Sequence, residues 1–146
     1  MISKPARVLI TDATIWYGFV PLMADLNPSH LFNPNWTPHA RMHLTWLLST
    51  NFLLAMYALY LVWGAKEVLR AGLLGLCVVG GFWVATLTRD LYGGMLVDPD
   101  LSADFIIGLN PNIIANTLLL LLLGIGVFLQ SRAGGQTRQL SATHSS

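Results

Sequence analysis

The chain has 146 residues, 54% hydrophobic and only 10% charged, with a formal net charge of +1 and a mean hydropathy of +0.59. A soluble domain carries about 25% charged residues, so the composition excludes an ordinary soluble globule, and no nucleic-acid partner is expected from so even a charge balance. The single cysteine, Cys77, lies inside an apolar run, which excludes disulfide stapling within the chain and a thiol metal cluster.

A membrane span needs roughly 20 predominantly apolar residues. Four segments meet that length, at about Val8–Leu26, Met42–Trp63, Val68–Thr88 and Phe105–Leu129. The expected fold is therefore all-α, an integral membrane four-helix bundle filling residues 1–130. Residues 131–146, rich in Ser, Gly, Gln and Thr, read as a disordered tail. Lys4, Arg7, Lys66, Arg70, Arg132 and Arg138 fall on one side of such a bundle, and only Arg41 and Arg89 on the other. The positive-inside bias then puts both termini in the cytoplasm. A bacterial inner (plasma) membrane is the expected location, with residues 30–43 facing out.

The first segment is the least apolar. A cleaved signal peptide is its alternative reading, but Asp12 interrupts the apolar region and the segment is long for a signal core, so it reads as a retained span. Asp12 is expected to snorkel or to pair with Arg7. Pro21 should kink the helix, and Trp16 and Tyr17 lie deep enough to be packing residues.

The following loop holds three of the four histidines, in H-L-F-N-P-N-W-T-P-H-A-R-M-H (residues 30–43). Asn27-Pro28 and Asn33-Pro34 favour turns, so the loop reads as a stiff cap. Thr37-Pro38 reads as a helix start, with Thr as N-cap and Pro in the first helical position. A helix begun there stacks His39 and His43 on one face. Two further turns along that face lie Leu47 and Asn51, so a polar line is expected to run from the mouth of the bundle inward.

In the third span, Ala71 and Gly75 are four apart, as are Cys77, Gly81 and Ala85. Such ladders allow close helix approach in lipid. Arg89 and Asp90 emerge at its end, where Asp90 can pair with Arg89 or turn toward the histidines. The next loop carries Gly93-Gly94, Asp98, Asp100 and Asp104, without the spacing of a calcium-binding loop. In the fourth span, Pro111 is expected to free a backbone carbonyl within the helix, with Asn110, Asn112 and Asn116 either satisfying freed backbone groups or facing a cavity.

Three readings of this polar set are open. His30, His39 and His43 with Asp25 are a plausible ligand set for zinc, copper or iron. Alternatively, His39 and His43 with Asp90 could act as acid and base on a small lipophilic ligand held near Asn51, Trp36 and Asn116. The third reading is non-catalytic. Trp36 and Trp46 bracket the membrane interface beside histidines that contact lipid headgroups, and the glycine-rich third span docks an accessory subunit onto a larger membrane complex. The metalloprotease pair, the di-iron bundle pattern and the hydrolase nucleophile elbow are all missing.

The run N-P-N-W-T-P-H-A-R-M-H, preceded by A-D-L-N-P-S-H-L-F, resembles the signature of a family of small four-helix membrane proteins with no established activity. That resemblance implies the four-span layout and no catalytic roles. The layout is also similar, more loosely, to the sterol-isomerase-like membrane bundles, in which polar residues surround a lipid-shaped pocket. The acidic residues of that group are not clearly present in matching spans here.

Overall fold

Four helices account for the fold in the computed structural model, which describes residues 1–97 and 108–143, the stretch 136–143 by its backbone alone. They are α1 (Lys4–Asp25), α2 (Pro38–Trp63), α3 (Val68–Thr88) and α4 (Pro111–Thr143), with a single 3₁₀ turn at Arg89–Leu91 after α3. The chain is all-α, and α2, α3 with its 3₁₀ extension, and α4 to Gly135 are each long and apolar enough to cross a membrane. The helix α1 is 22 residues long but more polar, carrying Lys4, Arg7, Asp12 and Asp25.

Local chemistry sets the helix starts. The Ser3 hydroxyl accepts the Ala6 N–H, and the Thr37 hydroxyl accepts the Ala40 N–H at 3.2 Å. Each thereby satisfies one of the donors that a helix start leaves without a partner. Pro38 opens α2, as Thr37-Pro38 indicated. Pro21 lies within α1, which is continuous to Asp25. It leaves the Tyr17 carbonyl without its usual helical donor.

Two expectations for the C-terminal half need correction. Pro111 does not interrupt a helix; it is the first residue of α4. The Asn110 side chain accepts the Asn112 N–H at 2.9 Å, the arrangement that an Asn followed by Pro favours at a helix start. In addition, α4 continues through residues 131–143, where composition suggested an unstructured tail. Propagating a helix already formed needs no new nucleus. Phe105, Asp98, Asp100 and Asp104 lie outside the described residues.

The helices alternate in direction. The link between α2 and α3 is four residues long, with the Gly64 and Ala65 N–H groups on the Tyr60 carbonyl and Glu67 N–H on the Leu61 carbonyl. The Arg7 guanidinium lies on the Trp63 ring, so the start of α1 adjoins the end of α2. Gln130 of α4 binds the backbone of Met1 and Ser3, so α4 arrives at the same end. Ile10, Ala13, Tyr17, Ala55, Val62, Val79, Leu119 and Leu123 form the core between them.

Small residues allow the closest approaches. At Gly18 an added Cβ would collide with the Ala55 Cβ, at Gly72 it would meet Ile10 and Val127, and at Gly75 it would meet Leu123 and Tyr17. The third-span ladder therefore divides in two. Ala71, Gly72 and Gly75 are buried against neighbouring helices, whereas Cys77, Gly81 and Ala85 are exposed and an added Cβ at Gly81 would meet nothing within 4 Å. Of the pair in the first span, Tyr17 packs in the core, but Trp16 is 42% exposed and faces outward.

Candidate functional site

The loop between α1 and α2 is tied together by side chains that mimic backbone. The Asn27 Oδ1 accepts the Ser29 N–H at 2.8 Å, the His30 N–H at 3.1 Å and the Ser29 hydroxyl at 2.6 Å. Asn33, 7% exposed, accepts the Asn35 N–H and donates to the Ser29 carbonyl. Arg41 donates from Nε and Nη2 to the Trp36 carbonyl at 3.2 and 3.0 Å, which fastens the loop's last turn to α2. The loop is closed by these side-chain hydrogen bonds.

Within it, His30 faces Asp25 at 3.9 Å (Nε2 to Oδ1), while its Nδ1 lies 2.9 Å from the Ser29 hydroxyl. That hydroxyl spends its proton on Asn27 Oδ1, so the His30 Nδ1 must be the donor of this pair. Trp36 packs edge-on to His30, with ring centroids 6.2 Å apart.

His39 and His43 form a second, separate pair. Their Nε2 atoms are 3.0 Å apart and their rings cross at 87°, and both residues are exposed. The Trp46 ring lies one turn further along, 6.0 Å from His43. The sequence-derived metal set of His30, His39, His43 and Asp25 is thus not gathered at one point. Among the described residues no group of three or more His, Cys, Asp or Glu side chains could hold a metal ion. The reason is positional: Asn27 and Ser29 hold His30 against Asp25, while the α2 helix turns the other two histidines outward.

The remaining expected residues scatter. Asp90 is exposed, with its carboxylate 3.7 Å from the Arg89 Nε, so it takes Arg89 in preference to the histidines. Asn116 donates to the Asn112 carbonyl of its own helix at 2.9 Å, which satisfies its amide without any cavity. Asn51 is half-buried where α2 meets α1, its carbonyl 3.8 Å from the position a Cβ on Gly18 would take.

Helix geometry explains that change of environment along α2. Each step of four residues overshoots a full turn by about 40°. The row His39, His43, Leu47, Asn51, Ala55 therefore winds from the exposed surface to the buried α1 contact. The row expected to lead inward instead stays on the outside of α2 through Leu47 and reaches the α1 contact only at Asn51. The depression beside it, about 320 Å³, is open and lined by His43, Trp46, Leu47 and Thr50, all from this one helix.

Sequence reasoning marked Asn27 as a turn residue but missed Ser29 and Arg41. The N-P-S pattern is a recognisable Asn turn signal and could have marked Ser29. Arg41 acts on a carbonyl five residues back, which no sequence spacing announces.

These features belong to an all-helical bundle with three helices of membrane-spanning length and an exposed histidine pair. The chain belongs to a family of unknown function (DUF6640), whose model matches residues 1–139. No curated protein and no solved structure matches it.

Proposed function

We propose that this is an integral membrane protein whose His39–His43 pair captures a transition-metal ion at the outer membrane surface. All four helices span the membrane with both termini inside, a topology supported by the excess of Lys and Arg at the α1-start end. The observation that carries the metal reading is the 3.0 Å separation of the two Nε2 atoms. Two metal–nitrogen bonds of about 2.0–2.1 Å at a tetrahedral angle place their nitrogens about 3.3 Å apart. The rings are close to that arrangement without rebuilding the helix. Zinc, copper and iron all accept neutral imidazole. The outward position leaves the other coordination sites to water, to an exogenous ligand or to a partner, which suits capture or hand-over of an ion.

Geometry favours this over acid–base catalysis on a lipophilic ligand. Among the described residues no carboxylate lies within ion-pair distance of either His39 or His43, and the adjoining depression encloses nothing. Calorimetric titration of the purified protein with zinc or copper tests the proposal. His39→Ala and His43→Ala should each weaken binding at least as much as loss of an outer-shell partner does, about 10- to 100-fold. Binding unchanged in both variants, or none in the wild type, would refute the site.

A second reading is favoured by one observation, the outward stripe of Cys77, Gly81 and Ala85 on α3. Small residues facing lipid suit close docking of another helix, so the chain acts as an accessory subunit of a larger membrane assembly. Stoichiometric co-purification with membrane partners in mild detergent is the expected result. A lone chain after that purification counts against it.

A further inference from the structure

We propose that the end of the bundle opposite the histidines binds the phosphate group of an anionic phospholipid, with Arg7 on Trp63 as its anchoring cation and Lys4 beside it. The guanidinium carbon of Arg7 sits 3.7 Å above the Trp63 ring centre. Trp63 is itself held, its indole N–H donating to the Thr11 hydroxyl at 3.2 Å, and that hydroxyl donates to the Arg7 carbonyl at 2.7 Å. Arg7, Thr11 and Trp63 thus form a closed loop across α1 and α2 that fixes the plane of the guanidinium.

Stacking uses the face of the guanidinium and leaves its edge. An arginine has five N–H donors in a planar fork; the Arg7 Nε is shielded from solvent, so the two terminal nitrogens are the donors an outside ligand can reach. No carboxylate lies within ion-pair distance of Arg7 among the described residues: Glu67 takes Arg70 at 2.8 Å, and Asp12 is exposed further along α1. Lys4 is exposed three residues before Arg7, so both cations share a face of α1. Lys66 follows Trp63 in the α2–α3 link with φ +61°, a conformation unfavourable for a residue with a Cβ. At the same end the Arg132 guanidinium caps the Phe128 ring at 5.3 Å.

A cation pre-oriented at the edge of an apolar bundle, with unspent in-plane donors, is matched by phosphate oxygens. The fork makes two parallel bonds to phosphate, which a lysine cannot reproduce. In a bilayer the phosphates lie at this level, just beyond the ends of the apolar helices.

The inference rests on the reading that the bundle spans a membrane, and its test separates the two. The full-length protein is reconstituted in vesicles of phosphatidylcholine alone or mixed with phosphatidylglycerol, and retained lipid is counted by native mass spectrometry. Wild type should retain phosphatidylglycerol preferentially. A surface cation contributes about 1 kcal/mol toward an anionic lipid, or about fivefold. Lys4→Gln should therefore lose about fivefold of the preference, and Arg7→Lys, which keeps the charge but not the fork, should also reduce it. Persistence of the preference in millimolar inorganic phosphate assigns the site to the headgroup, whereas displacement assigns it to free phosphate. Equal retention of the two lipids by wild type, or wild-type preference in both variants, overturns the proposal. A chain that partitions into neither vesicle overturns the membrane reading with it.

Discussion

The Nε2 atoms of His39 and His43 face each other at 3.0 Å across one turn of α2. One ring must donate and the other accept, so the pair shares a single proton, and a metal ion would replace that proton. Protonation of both rings removes every lone pair from the site. Metal affinity should consequently fall as pH is lowered, because protons compete for the ligand nitrogens. Titrations at two pH values check this, and an affinity independent of pH would be incompatible with imidazole ligation.

Gly18 and Ala55 meet where α1 packs on α2, so closely that a Cβ at Gly18 would collide with the Ala55 Cβ. Gly18→Ala should destabilise the protein by about 1–3 kcal/mol, the usual cost of overpacking. Adding Ala55→Gly should restore much of it. Thermal unfolding in detergent measures both, and no rescue by the second change would mean that the helices do not meet there.

The two halves of the small-residue ladder on α3 should respond differently. Gly75→Leu drives a side chain into Leu123 and Tyr17 and should lower stability by at least about 1–3 kcal/mol. Gly81→Leu projects into open space and should leave the isolated chain's stability within about 0.5 kcal/mol. If the outer stripe docks a partner, Gly81→Leu should abolish co-purification while leaving the fold intact.

Asn27 accepts three hydrogen bonds within its own loop. Asn27→Ala should free the Ser29 amide, raising its hydrogen exchange by the equivalent of about 1–3 kcal/mol, while the His30 amide keeps its bond to the residue-27 backbone carbonyl and should change less. Exchange at the α2 core should not change. Uniform protection across the loop in the variant would show that the prolines alone hold it.

Pro111 offers a direct check on the start of α4. At the first helical position proline gives up an N–H that has no partner there, so Pro111→Ala should shift stability by less than about 1 kcal/mol. A proline within the helix would cost about 3 kcal/mol, and its removal would stabilise by that order.

The sequence by itself determined the helical class, the membrane-length apolar stretches and the start of α2 at Thr37-Pro38. These depend on composition, run length and local capping, which neighbouring residues decide. It also placed His39 and His43 on one helix face, because a spacing of four is a local property. Where that face points was settled by tertiary packing. Ala55 seats against Gly18, and the helical overshoot then turns Asn51 toward α1 and both histidines outward. His30 was separated from them by the Asn27–Ser29 turn, which pins it to Asp25. The sequence held all four polar residues close together along the chain, but the folded loop and the packing of α1 on α2 together left them as two separate pairs, His30 with Asp25 and His39 with His43.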